Sequence, residues 1–318
     1  MQQIETALPS GDLLIIEVDG PDAQQMHILH YKRHPMLLEH HAAAHSSWNW
    51  ADTAGVAVNS HNQMLLVSKY PSVMGHVYDT QADVWHMTVP PLQYFRERPS
   101  VLYVPYPHDA FVVCGCINGV CSRSCEHRPA DEHDTPWALV HQTDMHAPRL
   151  CLSAHAGVMH NGEMIVSGGQ CNGKKMRSTY RLEYSRDGQW KWWRMSDLVI
   201  ARMRHAMASD GLHMFACGDF GSVHGRSCER YARDTPGGWA LMDYMDGSHR
   251  FDFPLVAIGK CGHLLAIGGE RKRNRRIEPD REQQDSVLEY RHEIWRNNGP
   301  KLPACSHEFC LRFAVFLH

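Results

Sequence analysis

The chain contains the stretch Glu163-Met-Ile-Val-Ser-Gly-Gly169, a run of strand-forming residues that ends in paired glycines. The pattern returns as Ala110-Phe-Val-Val-Cys-Gly-Cys116, His213-Met-Phe-Ala-Cys-Gly-Asp219 and His263-Leu-Leu-Ala-Ile-Gly-Gly269, with first glycines 53, 50 and 50 residues apart. Weaker copies upstream are Gly11-Asp-Leu-Leu-Ile-Ile-Glu17 and Gln63-Met-Leu-Leu-Val-Ser-Lys69. A fixed period of this length indicates a repeat architecture, and six units account for the whole chain.

Each unit repeats more than its glycine. A strand with a tyrosine follows, and then a tryptophan, as in the pairs Tyr78 and Trp85, Tyr184 and Trp190, Tyr231 and Trp239, and Tyr290 and Trp295. Upstream of the glycine strand, Asn161-Gly162 and Asp210-Gly211 favour two-residue hairpin turns with positive φ. Helical periodicity is essentially absent, so each unit is predicted to form four short antiparallel strands.

This pattern resembles the Kelch repeat, and six copies resemble a six-bladed Kelch β-propeller. The resemblance implies a single all-β domain over residues 1–318, with four-stranded antiparallel blades at 10–52 plus 308–318, 53–98, 99–149, 150–202, 203–250 and 251–305. It is weakest in the first two units, where Glu17 and Lys69 stand at glycine positions. The segment Cys310-Leu-Arg-Phe-Ala-Val-Phe-Leu-His318 reads as one strand, which we expect to complete and close the first blade.

Composition limits the classes of function. The 318 residues are 43% hydrophobic with a net charge of −3, so no strong field favours nucleic acid or an anionic membrane. The 24 histidines should turn the net charge positive on mild acidification. The sequence has no signal peptide, no membrane-spanning run and no glycosylation sequon, and we expect Cys114, Cys217 and Cys310 to be free, buried thiols. These features predict a cytoplasmic protein, with the nucleus as an alternative.

The resemblance also implies where a partner would bind. In Kelch receptor domains, ligands meet the face formed by the loops after the glycine pairs and the loops that enter each new blade. The loops after the glycines are 70–76, 117–124, 170–178, 219–227 and 270–286. The predicted partner-binding residues are Arg149, His155, Gln170, Asn172, Ser178, Arg202, Arg204, His205, Arg226, Ser227, Arg271 and Arg273. Arginines around a concave surface suit carboxylate or phosphate groups, while pairing between neighbouring blades is the structural alternative for the same residues.

Two clusters suggest other chemistry. Cys114, Cys116, Cys121 and Cys125, with His127 and His133 close by, have spacings that zinc sites use, but a strand directs alternate residues to opposite faces. We therefore expect no metal and no cofactor. The basic run Arg271-Lys-Arg-Asn-Arg-Arg276 resembles a nuclear-localisation or anionic-partner patch, and a solvated loop is the simpler reading.

The prediction for function is a monomeric protein-interaction module that binds an acidic peptide or loop of a partner protein. Kelch domains often follow BTB and BACK domains and select substrates for Cullin ubiquitin ligases. Only about ten residues precede the first blade here, which leads us to expect a fragment, or a decoy of the kind that viral Kelch-like proteins provide. The alternative is an enzyme of the Kelch sugar mutarotase type, using His155, His205, Asp219 or Glu270 at the channel mouth. The motif of copper radical oxidases is not present in recognisable form.

Overall fold

A computed structural model describes residues 13–316 apart from 20–22, 31–36, 42–52, 62, 69–72, 80–81, 83, 106–107, 118–124, 133, 141–152, 185–188, 234–235, 246–248, 261, 273–280, 284–285, 298–299 and 303–309. All regular secondary structure in these residues is β-strand, as the absence of helical periodicity predicted. Within the same residues, no helix is long and apolar enough to cross a membrane.

The strands form consecutive antiparallel sheets along the chain. Blade two contains β4 (Thr53–Val58), β5 (Gln63–Ser68), β6 (Gly75–Asp79) and β7 (Val84–Val89), and blade three contains β8 (Arg96–Val104), β9 (Ala110–Ile117), β10 (Cys125–Pro129) and β11 (Ala138–Leu139). Blade four contains β12 (Ala156–His160), β13 (Glu163–Ser167), β16 (Thr179–Tyr184) and β17 (Trp190–Arg194), and a small hairpin of β14 (Gln170–Cys171) and β15 (Lys174–Lys175) stands between β13 and β16.

The remaining blades repeat this order. Blade five contains β18 (Ala206–Ser209), β19 (Met214–Cys217), β20 (Cys228–Tyr231) and β21 (Trp239–Leu241). Blade six contains β22 (Leu255–Ile258), β23 (His263–Ile267), β26 (Val287–Arg291) and β27 (Ile294–Arg296), with a hairpin of β24 (Glu270–Lys272) and β25 (Arg281–Gln283). The terminal sheet joins β1 (Leu13–Asp19), β2 (Ala23–His30) and β3 (Leu37–His41) to β28 (Cys310–Phe316).

The first strand of each blade lies innermost. Contacts run from β28 to β4, from β4 to β8, from β8 to β12, from β12 to β18 and from β18 to β22, so the sheets follow one another around a common axis. This arrangement of four-stranded antiparallel sheets is a β-propeller.

The number of blades needs a correction. The sequence predicts six blades, whereas the structure shows five propeller blades, two to six, whose strands run from Thr53 to Arg296. The terminal sheet is a further four-stranded sheet. In its backbone, β28 pairs with β1 over seven residues, from Leu13 opposite Phe316 to Asp19 opposite Cys310. Whether this sheet closes a ring of six by meeting blade six stays a prediction.

Apolar clusters fill the spaces between consecutive blades. Leu65 packs with Phe111 between blades two and three, and Val112 packs with Trp192 between blades three and four. Ile165 joins the cluster of Met214 between blades four and five, and another cluster fills the space between blades five and six. Removing such side chains from water stabilises a protein by about 1.5–3 kcal/mol each, which is the main attraction between the blades.

The repeated tyrosines and tryptophans lie where the sequence predicts, on the two outer strands. Tyr184 is opposite Trp190 in register, with ring centroids 4.9 Å apart. The pair in blade five, Tyr231 and Trp239, is 5.4 Å apart. Direct cross-strand aromatic pairs stabilise the outer edge of a blade as well as adding buried area.

In blades four and five, the first residue of the pair, Gly168 or Gly218, lies where the next blade approaches closely. A Cβ on Gly168, which has a φ of +62°, would lie 2.5 Å from the carbonyl oxygen of Arg202 and 2.7 Å from Cε1 of His205. A Cβ on Gly218 would lie 2.6 Å from the carbonyl oxygen of Arg250. Only glycine avoids both the clash and the strained φ, so the repeated glycine exists because adjacent blades crowd there.

Candidate functional site

Arg202 is completely buried, although the sequence placed it on a partner-binding surface. Its Nε donates to Oε1 of Glu229 at 2.9 Å, and its Nη1 donates to the carbonyl oxygens of Gly218 at 2.8 Å and Ser227 at 2.9 Å. Burial lowers the pKa of Arg202, and the charge of Glu229 opposes that shift. The side chain is fully used inside blade five, so the structural alternative applies to this residue.

The same buried pair occurs in blade three. Arg96 donates from Nε to Oε1 of Glu126 at 3.0 Å and from Nη1 to the carbonyl oxygen of Gly115 at 3.1 Å, and both charged side chains are fully buried. Each glutamate also accepts backbone N–H groups from the connecting loop, as Glu126 does from Gln93 at 2.6 Å. The Arg–Glu pair is therefore a repeated element that joins the entering loop to the blade.

Arg204 is also withdrawn from solvent, at 8% exposure. Its guanidinium carbon lies 4.7 Å from the ring centroids of both Phe220 and Phe251, and its Nε donates to Oδ2 of Asp252 at 2.7 Å. Its φ of +54° matches the equivalent residues Ala154, at 51°, and Asp252, at 49°. Backbone hydrogen bonds connect these three positions from blade to blade, which makes Arg204 part of an inner rim rather than an open contact.

The two equivalent histidines are buried next to this rim. His205 Nε2 lies 2.9 Å from Oγ of Ser167, and His155 is 7% exposed. Burial, followed by the positive charge of Arg202 and the neighbouring His155, holds the pKa of His205 well below its usual value. A neutral, enclosed imidazole is poorly suited to contact an acidic partner.

The remaining predicted partner-binding residues lie in several different places. Gln170, Asn172 and Ser178 lie on or beside the β14–β15 hairpin, and Asn172 is exposed at its tip. Arg226 Nε donates to the carbonyl oxygen of Met245 at 2.9 Å, while Ser227 is buried against Arg202. Arg149 and Arg273 lie outside the described residues, and Arg271 is placed by its backbone in β24. The basic run therefore begins as part of a hairpin rather than as a loop.

A cavity of 420 Å³ opens beside the β14–β15 hairpin on blade four. It is lined by Lys175, Met176, Arg177, Ser178, Tyr180, Arg194, Asp197 and Ala201. We call it the blade-four cavity. Arg194 Nη2 donates to Oδ1 of Asp197 at 2.7 Å, and this ion pair is exposed, at 52% and 32% for its side chains. Of the predicted partner-binding residues that the structure describes, only Ser178 lines the blade-four cavity.

The sequence did not predict this cavity, although blades four and five differ at one of the residues that line it, and this difference is visible in the sequence. Gly168 and Gly218 each bond through their N–H to a serine carbonyl, Ser178 and Ser227, so these serines are equivalent. Two residues later blade five has Glu229, the partner of Arg202, whereas blade four has Tyr180. Tyr180, one of the residues that line the blade-four cavity, thus stands where blade five has Glu229.

The hairpin beside the cavity is held by an ion pair with the next blade. Lys175 Nζ donates to Oδ2 of Asp219, whose side chain is fully buried, and to the carbonyl oxygen of Phe220 at 2.5 Å. Lys174 and Arg177 on the same segment are exposed. Arg177 therefore lines the cavity as an exposed cation, and the exposed Lys174 lies on the adjoining hairpin.

The cysteine expectations are corrected by the structure. Cys114 is joined to Cys125 and Cys217 to Cys228, each pair in register across neighbouring strands with Cα atoms 4.3 Å and 4.2 Å apart. Cys114 and Cys217 are therefore not free thiols, and the first of these disulfides removes two ligands from the proposed zinc set. Cys121 and His133 lie outside the described residues. Among the residues that are described, no group of three or more His, Cys, Asp or Glu side chains is arranged to hold a metal.

Comparison with known proteins supports the fold. No protein-family model matches the chain, and no curated protein matches it. Among solved structures, 696 chains match. One of them, titled "Structure of YjhT", has a TM-score of 0.64 and 10% sequence identity over 79% of this chain and 84% of that one. At this identity the likeness shows the β-propeller fold alone.

Proposed function

We propose that the protein is a propeller receptor that binds an acidic segment of a partner protein at the blade-four cavity. The observation that carries this proposal is the pair of arginines in the lining, Arg177 and Arg194, against the single acid Asp197, since Lys175 is already paired with Asp219. The exposed Lys174 adds a further positive charge beside it. Such a surface attracts carboxylates and raises the association rate with an acidic partner.

The shape and the remaining lining fit the same role. Met176, Tyr180 and Ala201 supply apolar surface under the charged groups, which suits the carbon chain of an acidic residue. Arg194 is held over the ring of Tyr180 at 5.8 Å and by Asp197, so a ligand carboxylate would meet an oriented guanidinium. Arginine in this arrangement binds carboxylates through two parallel hydrogen bonds.

The test measures binding of a short fluorescein-labelled polyglutamate peptide to wild-type protein and to Arg177→Ala plus Arg194→Ala. The double variant should bind at least about tenfold more weakly, which corresponds to a loss of about 1.4 kcal/mol. Arg291→Ala, at an exposed position on β26, serves as the matched control and should bind as the wild type does. Equal binding by the double variant and the wild type would refute the assignment.

Finer parts of the proposal rest on the sequence resemblance. We propose that the terminal sheet closes a six-bladed Kelch propeller and that the protein is a monomer, cytoplasmic or nuclear, acting as a substrate-recognition or decoy component near a Cullin ligase. The repeated glycines, tyrosines and tryptophans support the Kelch assignment. Affinity capture from the native cell, with the double arginine variant as control, tests the partner and the ligase association together.

A sugar mutarotase is the second candidate. Its support is the volume of the blade-four cavity, 420 Å³, together with Tyr180, Arg194 and Asp197 in its lining, because aromatic and polar groups of this kind bind single sugar rings. The buried His155 and His205 do not support acid–base catalysis at the channel mouth. Accelerated exchange between sugar anomers, measured by NMR and lost in Asp197→Ala, would favour the enzyme over the receptor.

A further inference from the structure

Asp219 occupies a position that is glycine in blades four and six and Cys116 in blade three. The second residue of the pair is Gly169 in blade four and Gly269 in blade six, with φ values of 93° and 103°. In blade five the equivalent residue is Asp219, whose carboxylate is fully buried. A buried charge is costly unless it is paired and hydrogen-bonded, so its partners reveal its role.

Those partners come from three different segments of the loop face. Oδ2 accepts hydrogen bonds from Lys175 Nζ, on the β14–β15 hairpin of blade four, and from Oγ of Ser222 in its own loop. Oδ1 accepts the N–H of Met203, in the connection between blades four and five, at 3.0 Å. One carboxylate thus joins the hairpin, the loop 219–227 and the entering loop of blade five.

We propose that Asp219 is the positioning residue of the blade-four cavity. By holding Lys175 it adds a side-chain link to a hairpin that backbone hydrogen bonds already join to the neighbouring loops, at Gln170 with Ser153 and at Met176 with Arg202, and that contains the disulfide-bonded Cys171. The link to Asp219 is the charged one, at the strand of the hairpin that carries Lys174 and leads to Arg177. This inference rests on the proposed function for its consequence in binding, but the link between Asp219 and the hairpin is independent of it. The carboxylate of Asp219 also cancels the charge of Lys175. Its charge therefore does not help the surface to attract an anion, and its contribution must come from the position in which it holds the hairpin.

Hydrogen exchange measured by mass spectrometry tests the structural part. Asp219→Gly restores the residue that blades four and six carry, and Asp219→Asn keeps the shape without the charge. Amides of the hairpin, residues 170–176, should exchange at least about tenfold faster in both variants, because local opening sets their exchange. Lys175→Met removes the same link from the other side and should give the same increase, and combining it with Asp219→Asn should add little.

Amides of β19, Met214–Cys217, serve as the internal control, because they should keep their protection if the fold is intact. Unchanged exchange of the hairpin in Asp219→Gly, with β19 still protected, would overturn the proposal.

Binding of the labelled polyglutamate peptide tests the consequence. Removing a negative charge should strengthen binding if charge alone matters, whereas loss of positioning should weaken it about fivefold or more. Weaker binding in Asp219→Asn and Asp219→Gly therefore supports the positioning role, and unchanged or tighter binding with a loosened hairpin overturns it. If the wild type binds no acidic peptide, the proposed function fails, while faster exchange in the variants still supports the link from Asp219 to the hairpin.

Discussion

His205 is a fully buried imidazole that should make the fold sensitive to acid. Its pKa in the folded state is well below its usual value because of burial, Arg202 and His155. In the unfolded chain the same group takes up a proton near pH 6.5. As the pH falls below that value, the unfolded state binds a proton that the folded state excludes, and stability is lost by up to about 1.4 kcal/mol per pH unit for each such group.

The chain offers a matched variant for this prediction, because blade six has Phe253 at the equivalent position. We expect His205→Phe to show a smaller loss of unfolding free energy between pH 7.5 and pH 5.5 than the wild type, measured by urea denaturation. Burial also lowers the pKa of His76, His108, His127 and His160, so some acid sensitivity should remain. His61→Gln, at an exposed site, is the control. The same pH dependence in His205→Phe and wild type would contradict the assignment.

Residue type alone did not predict which arginines face a partner. Arg202 and Arg177 both lie in segments on the loop face, yet the first is paired inside the blade and the second is exposed. The difference depends on Glu229, 27 residues away from Arg202 in sequence. A buried charge can only be recognised once its partner is known, and a long-range partner of this kind leaves no local spacing signal.

At the scale of strands and turns, the sequence predicted best the features that depend on neighbouring residues, such as the hairpin turns. Asn161 and Gly162 have φ values of 52° and 81°, as expected for a two-residue hairpin. The turn predicted at Asp210-Gly211 is present but shifted by one residue, because the N–H of Asp210 donates to the carbonyl oxygen of His213 at 3.2 Å and Gly211, with a φ of 84°, is the first residue of the two-residue loop. Oδ1 of Asp210 accepts the N–H groups of Leu212 and His213, at 2.8 Å and 2.6 Å, and this side-chain bonding supports the turn.

The disulfides Cys114–Cys125 and Cys217–Cys228 share a sequence pattern that recurs with the repeat period. In blades three and five a Cys-Gly pair, 114–115 and 217–218, is followed by a Ser-Cys-Glu segment, 124–126 and 227–229, and the joined cysteines are 11 positions apart in each case. The disulfide and the buried Arg–Glu pair therefore occur together in alternate blades. Blade four has Thr179 and Tyr180 at the positions of Cys228 and Glu229, and Tyr180 lines the blade-four cavity.

We predict that both disulfides form in the protein from its native source. Alkylation in denaturant without reductant should leave Cys114, Cys125, Cys217 and Cys228 unmodified, and reductant should expose all four. Reduction should lower the unfolding free energy by about 2–4 kcal/mol for each bond. The Cys217→Ala plus Cys228→Ala variant separates one bond from the other. Alkylation without reductant would instead support free thiols and the reducing compartment expected from the sequence.

For the whole molecule, the repeat period determined the architecture because each blade must bury its two faces against its neighbours. The described residues show this between blades two and six, through four apolar clusters that each combine residues of adjacent blades. Closure of the ring was harder to predict from the sequence, because it depends on the units in which the repeat is weakest. Glu17 and Lys69 replace the glycines there, so the sequence of the first units predicts strands but not how closely their neighbours approach.

The pairing of β28 with β1 makes a prediction about closure. Deleting residues 309–318 removes the innermost strand of the terminal sheet, which contacts β4 of blade two, and leaves β1 without that partner. An unpaired strand exposes backbone groups that promote association with other chains. The truncated protein should therefore elute as oligomers or aggregates in size-exclusion chromatography with light scattering, and should unfold at a lower urea concentration.

Deleting only residues 317–318, beyond β28, is the matched control and should leave the elution unchanged. A truncated chain that stays monomeric with an unchanged urea midpoint would show that the last strand neither completes the terminal sheet nor supports the propeller.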